Sequence, residues 1–181
     1  MIENLKKIYD ALKVIPNFPQ QGISFKDITP IFANPKILDL TINELIKLIQ
    51  TINVKFDYIV GLESRGFLVG LPIAQKLNLP FIPIRKKGKL PRQTISAFYT
   101  SEYGKAEIEI HKDDIKPGTN VLLVDDIIAT GGTILAAHTL INRLHANCHH
   151  VLVLGWLAKE VPNTLAKLQK KGMNVHFLFE I

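Results

Sequence analysis

Cysteine, tryptophan and methionine are scarce in this sequence, with one, one and two residues among 181. The lone Cys148 excludes an internal disulfide and any zinc site built from several thiolates, and it suits a reducing compartment. Long apolar runs are also missing. The best candidate, Val151 to Ala158, has eight residues, against roughly 20 needed to span a bilayer. Met1 to Lys7 carries Glu3 and lacks the continuous apolar stretch of a secretory leader, so a cytoplasmic location is expected, with no membrane partner. Several nucleotide and metal fingerprints are absent. No Gly-x-Gly-x-x-Gly occurs. Gly61-Leu62-Glu63-Ser64-Arg65-Gly66 has the glycine spacing of a P-loop but continues Phe67-Leu68 without the lysine. An aspartyl-phosphatase pattern wants a second Asp where Ile127 stands. The histidines, His145, His149 and His150 among them, form no His-Glu-x-x-His pair.

What is present describes one globular domain, 1–181. That length predicts a single domain, and a composition 47% apolar and 21% charged supports a full core. Twenty-two basic and 16 acidic residues leave a net charge of +6. A basic balance favours anionic partners such as nucleic acid or phosphorylated small molecules, or serves general solubility. One local cluster runs from Arg85 to Arg92.

Periodicity divides the chain into alternating helices and strands. Ile2, Leu5, Tyr9 and Leu12 make a helical stripe over residues 2–13. Pro16 and Pro19 then begin an extended segment to Ile31. Asn34-Pro35 reads as an N-cap followed by proline at the first helical position, and Leu38, Ile42, Leu45 and Ile49 carry that helix to about Thr51. Tyr58 to Leu62 reads as a buried strand, and Ser64 caps a helix that stops near Asn78. Phe81 to Ile84 is a strand in which Pro83 demands an edge or a bulge. Residues 86–104 are polar and basic without apolar periodicity, and 94–100 pairs with 105–110 as a hairpin around Tyr103-Gly104. Val121 to Val124, Val151 to Leu157 and Val175 to Phe179 complete the strands, with helices over 133–145 and 162–171. The expected class is therefore α/β, a mostly parallel twisted sheet flanked by helices. Ligands in such folds bind at the C-terminal edge of the strands.

One segment carries chemistry. Val121 to Val124 forms a core strand, Asp125 and Asp126 follow, and Ala129-Thr130-Gly131-Gly132-Thr133 turns into a helix. Glycines let the backbone curl and an anion come close, and the helix start offers N–H donors and partial positive charge to a phosphate. Carboxylates accept hydrogen bonds from vicinal hydroxyls. Adjacent acids repel each other, so a bare turn gives no reason for two of them. Diol recognition beside monophosphate recognition describes a ribose 5-phosphate site.

This segment resembles the phosphoribosyl pyrophosphate signature of the type I phosphoribosyltransferases, and the resemblance covers almost the whole chain. Phe18 to Pro30 looks like the N-terminal purine-side motif of the adenine-using branch. Gly61 to Phe67 looks like its pyrophosphate loop, and Arg85 to Pro91 like the start of its mobile lid. Glu102-Tyr103-Gly104 followed by Glu107 to His111 resembles the lid's end. The resemblance implies the type I fold, with a small N-terminal purine-side hood over 1–34 and a mobile β-hairpin lid over 86–104. It implies purine salvage: transfer of the 5-phosphoribosyl group from phosphoribosyl pyrophosphate to adenine N9, giving AMP and pyrophosphate.

Carried over residue by residue, the resemblance places the 5′-phosphate on Ala129, Thr130, Gly131, Gly132 and Thr133. The ribose hydroxyls fall to Asp125 and Asp126. Glu63, Ser64 and Arg65 hold the pyrophosphate with Arg85, Lys86 and Lys89. Phe25 stacks on the base opposite Leu157, and backbone groups of Ser24 and Lys26 read the purine edge. Glu102 and Tyr103 come in from the lid, Glu102 as the candidate for proton removal. Mg²⁺ enters with the substrate and is held mainly by substrate oxygens, without a dedicated protein metal site. A homodimer with no nucleic-acid partner is implied. Lys26, Ser24 and Trp156 depart from the family pattern, and the last two bear on base selectivity. Two alternatives stand beside this reading: a transferase for another purine base, and a catalytically silent regulator that senses phosphoribosyl pyrophosphate.

Overall fold

The computed structural model describes residues 2–101 and 104–181. The chain divides into two compact units, Met1–Gln50 and Thr51–Ile181. The first unit holds α1 (Ile2–Ala11), β1 (Lys13–Pro16), β2 (Ser24–Asp27), α2 (Thr29–Ala33) and α3 (Pro35–Gln50). Its boundary falls after α3 rather than near residue 34, because α3 packs on α1 and α2 and the Asn4 amide donates to Glu44 Oε1 at 2.9 Å. β1 and β2 form an antiparallel hairpin within the expected extended stretch.

Asn34 caps α3 as expected. Its Oδ1 accepts the Lys36 and Ile37 N–H groups at 3.1 and 3.3 Å, which supplies partners for two otherwise unbonded donors. The stripe of α1 differs from expectation. Ile8 is fully buried while Tyr9 is 47% exposed. Leu5, Ile8 and Leu12 fit the helical period as well as a stripe through Tyr9 does, and the aliphatic side chain takes the interior while the phenol stays wet.

The second unit is an eight-stranded mixed sheet flanked by helices. Its elements are β3 (Tyr58–Leu62), α4 (Arg65–Leu77), β4 (Phe81–Lys86), β5 (Thr94–Ser101), β6 (Gly104–His111), β7 (Asn120–Val124), β8 (Ile127–Ile128), α5 (Gly132–Arg143), β9 (Asn147–Trp156), α6 (Thr164–Gln169) and β10 (Asn174–Glu180). The strand order is β10-β9-β7-β3-β4-β6-β5, with β8 beside β9. β10, β9, β7, β3 and β4 run parallel, and β6 and β5 join antiparallel.

From β3 the chain crosses by α4 to β4 on one side. From β7 it crosses by α5 to β9, and on to β10, on the other. The order therefore reverses between β3 and β7, and the crevice outside their C-terminal ends is where open α/β sheets bind ligands. Register keeps those ends level, with Gly61 opposite Val124 and Leu62 opposite Ile84. Val60, Leu123, Val151, Val153, Ala137, Leu140 and Ile141 form the core beneath, each fully buried.

Pro83 sits where β4 is paired along one side only, since β6 meets β4 at Arg85 and Lys86 alone. A residue without an N–H is tolerated there. Helix α4 ends at Asn78 in the left-handed conformation, φ 53°, as expected. Ser64 occupies its N-cap position without a side-chain capping bond. Most of the 86–104 segment is ordered secondary structure: β4 ends at Lys86 and β5 begins at Thr94, and Arg143 of α5 donates to the Ser96 carbonyl at 2.7 Å. Alternation in 94–101 is weak because Phe98 on this edge strand is 74% exposed.

Candidate active site

Asp125 and Asp126 stand at the reversal point directly after β7. Asp126 is buried, and its backbone carbonyl accepts the Leu154 and Gly155 N–H groups at 2.8 and 3.2 Å. Those bonds bring the chain back to the sheet as β8, a step that the sequence pattern did not show. The Asp126 N–H donates to Asp125 Oδ1 at 2.9 Å. Burial raises the pKa of Asp125 well above the ordinary carboxylate value, and the neighbouring Asp126 charge adds to it. Burial raises Asp126 as well, opposed by the Arg65 guanidinium. Arg65 Nε lies 2.8 Å from Asp126 Oδ2. That oxygen has no aligned hydrogen-bond donor, so the pair is a charge contact.

The next turn forms a hollow of about 120 Å³ lined by Asp125 and residues 127–134. Pockets that enclose a whole drug-sized ligand measure roughly 300–1,000 Å³, so this hollow suits one end of a substrate. Gly131 caps α5 with φ 74°, and no side chain caps the first turn. A Cβ at Gly131 would also stand 3.1 Å from Thr164 Cγ2. A helix start without a side-chain cap offers its N–H groups and positive dipole end to an anion. Ala129, Thr130, Gly131, Gly132 and Thr133 all line the hollow.

Gly66 was not among the residues singled out, yet it sets the distance between α4 and the acids. A Cβ there would stand 2.9 Å from the Val124 carbonyl and 3.0 Å from Asp125 Oδ1. Only glycine lets Arg65 come this close to the end of β7. Its signal in the sequence was its place directly after Ser64-Arg65.

Glu63 is tied to β4. Its Oε2 accepts the Lys86 N–H at 2.8 Å and Arg85 Nε at 3.2 Å, and these partners outweigh burial to lower its pKa. Arg85 Nη1 donates to the Lys89 carbonyl at 3.2 Å. Glu63 is therefore occupied in holding Arg85. Lys86 and Lys89 are exposed. Glu109, which sequence reasoning placed only at the lid's end, is a buried carboxylate bound to the 88–90 turn.

Leu157 donates its N–H to the Ile128 carbonyl at 3.0 Å, which brings it beside a residue of the hollow. The Trp156 indole packs on the core, 5.9 Å from the Phe177 ring, and donates to the Val161 carbonyl at 3.4 Å. Trp156 is thus held in place by packing. Cys148 is fully buried with its thiol pushed up to about 12, which makes it unreactive.

Ser24, Phe25 and Lys26 form β2 of the first unit, where Phe25 meets the Phe18 ring edge-on at 5.1 Å. Glu102 and Tyr103 lie outside the described residues.

Residues 27–170 match the family described as phosphoribosyl transferase domain. The chain is 49% identical over 169 residues to the adenine phosphoribosyltransferase of Halothermothrix orenii, covering 93% of this chain and 96% of that one. The chain belongs to the adenine phosphoribosyltransferase family. The corresponding enzyme of Malacoplasma penetrans is 52% identical over 139 residues, covering 77% and 80% of the two chains. Among solved structures, the adenine phosphoribosyltransferase of Saccharomyces cerevisiae, complexed with an imino-altritol bisphosphate and adenine, superposes with a TM-score of 0.88. It is 41% identical and covers 99% of this chain and 100% of that one.

Proposed function

We propose that the chain performs purine salvage, transferring the 5-phosphoribosyl group of phosphoribosyl pyrophosphate to N9 of adenine. AMP and pyrophosphate are the products. The observation that carries this reading is the juxtaposition at the β3/β7 reversal of the buried Asp126 carboxylate, the partly buried Asp125 beside it, a phosphate-sized hollow and a guanidinium 2.8 Å from Asp126.

In the proposed reaction the bond between C1 of the ribose and the pyrophosphate oxygen breaks, and the bond from C1 to N9 forms. The leaving group departs with the electron pair, and the sugar passes through an oxocarbenium-like state, as in glycoside cleavage. The α5 N-terminus and residues 129–133 hold the 5′-phosphate. Asp125 and Asp126 accept hydrogen bonds from the ribose hydroxyls and stabilise positive charge at the anomeric carbon. Arg65 binds pyrophosphate through its planar fork, the geometry that suits phosphate best, and Arg85, Lys86 and Lys89 add charge on that side. Leu157 packs on the base and Glu102 takes the N9 proton, and the family resemblance assigns Phe25, Ser24 and Lys26 to the purine as well.

Mg²⁺ would enter with phosphoribosyl pyrophosphate, held mainly by substrate oxygens, and would neutralise charge on the leaving group. The segment 86–104 acts as a lid that excludes water, since hydrolysis competes with transfer. The enzyme works as a cytoplasmic homodimer.

A product assay with Mg²⁺, phosphoribosyl pyrophosphate and adenine, hypoxanthine, guanine or orotate tests the reading. AMP from adenine alone is expected. Product from another base would move the specificity, and product from none, with phosphoribosyl pyrophosphate still bound, would leave a sensor.

A further inference from the structure

The basic turn after β4 is held by a buried carboxylate from a different strand. Glu109 of β6 is 2% exposed. Its Oε1 accepts three consecutive backbone N–H groups, from Gly88, Lys89 and Leu90, at 2.9, 3.0 and 3.1 Å. Its Oε2 accepts the Thr94 hydroxyl at 3.0 Å and lies 3.4 Å from Lys87 Nζ. Gly88 has φ 82°, the left-handed conformation that glycine adopts without strain and that lets successive N–H groups converge on one oxygen. In the β4–β6 ladder Glu109 stands directly opposite Arg85.

The turn is continuous with Arg85. Lys89 gives its N–H to Glu109 and its carbonyl to Arg85 Nη1, while Glu63 accepts Arg85 Nε and the Lys86 N–H. The guanidinium is therefore clamped between Glu63 and a carbonyl whose position Glu109 sets. A second tie, Arg92 to Asp113 and Asp114 at 2.8 and 2.7 Å, fixes the far end of the loop. A basic loop of seven residues, 87–93, would otherwise lose considerable conformational entropy on each binding event.

We propose that Glu109 is a positioning residue of the transfer reaction: it fixes the 88–90 turn so that Arg85 and Lys89 are pre-aligned for the diphosphate of phosphoribosyl pyrophosphate. This rests on the assignment of Arg85 to the diphosphate above. Glu109 touches no substrate. It acts by holding donors in place, so its removal weakens binding of the anionic substrate and not of the base.

The test is steady-state kinetics on E109Q, R85A and the double variant, with melting temperatures for each. Gln keeps the shape but turns charge-assisted bonds, roughly twice as strong as neutral ones, into neutral bonds. The expected result is a KM for phosphoribosyl pyrophosphate raised about tenfold in E109Q, an adenine KM within about twofold of wild type, and little further change when E109Q is added to R85A. A lowered melting temperature with an unshifted KM for phosphoribosyl pyrophosphate would overturn the proposal, as would effects of E109Q and R85A that multiply independently. If E109Q does not fold, T94V removes one donor to the same carboxylate. A KM raised about two- to threefold then supports the proposal, and an unchanged KM overturns it. Failure of the underlying reading shows differently, as wild-type enzyme that makes no product from any base.

Discussion

Two acidic sites in the second unit, Glu109 and the Asp125–Asp126 pair, each hold a buried carboxylate, and they are opposites. Glu109 has its charge met by three backbone N–H groups, a hydroxyl and a lysine, and its pKa is lowered. Asp125 and Asp126 crowd each other at the end of β7, and both pKa values are raised by burial. A carboxylate whose partners come from its own chain stabilises the fold. An adjacent pair whose charged forms burial and mutual repulsion disfavour costs the fold stability, and under the proposed function it serves to receive hydroxyl groups from outside. Strongly perturbed acids in a cleft are candidates for function, and under the proposed function the direction of the shift separates the scaffold acid from the working ones.

Replacing Asp126 probes this contrast with the largest effect. D126N should lower turnover by about 10²–10³-fold, the range for losing one preorganised electrostatic group, while the protein melts within a few degrees of wild type. Normal turnover would remove Asp126 from the chemistry. E109Q makes the mirror case, with stability and substrate KM shifted and the chemical step intact.

G66A comes next. The added methyl would meet the Val124 carbonyl at 2.9 Å and Asp125 Oδ1 at 3.0 Å, so β7 and α4 must separate. Overpacking of this kind costs about 1–3 kcal/mol, and displacement of a catalytic group by about 1 Å costs on the order of 100-fold in rate. Activity that falls by less than stability would show that the Arg65–Asp126 spacing has slack.

A smaller effect sharpens the comparison by pH. The folded-state pKa of Asp125 is raised, so the folded protein holds a proton that the unfolded chain releases near pH 3.9. Wild type therefore loses stability as pH rises from about 4 through the raised folded value. D125N removes this dependence, and its melting-temperature advantage over wild type should grow with pH across that window and level off above it. Glu109 has the opposite sign. Its contribution is present above about pH 4.3 and is lost as pH falls through its lowered folded value, so the deficit of E109Q should stay constant near neutrality. A D125N advantage that shrinks with rising pH would show that Asp125 is not destabilised by burial.

Much of this architecture was legible in the residues. The strand–acid–acid–glycine corner at 121–133 needed only local pattern, because a buried strand, two acids and a glycine turn are contiguous. Asn34-Pro35 and Asn78 marked helix ends for equally local reasons. What escaped was non-local. Ile8 displaced Tyr9 on α1 because the helix is packed by a partner 40 residues away, as the Asn4–Glu44 bond shows. β8 exists only because β9 accepts it. Gly66 looks like any helix glycine until β7 is placed against it. Glu109 sits in an alternating strand where an acid reads as solvent-facing, and only the folded-back 88–90 turn makes it a buried anchor.

The central claim is that Asp125 and Asp126 exist to receive ribose hydroxyls, and binding of the product tests it most directly. Calorimetric titration of wild type and D126N should compare AMP with 2′,3′-dideoxy-AMP, which keeps the base and phosphate but lacks the diol. The account predicts that wild type prefers AMP by at least about tenfold, the worth of one or more charge-assisted hydrogen bonds. D126N should lose most of that preference while still binding the phosphate. Equal affinity of wild type for both nucleotides, or a preference that survives in D126N, would contradict it.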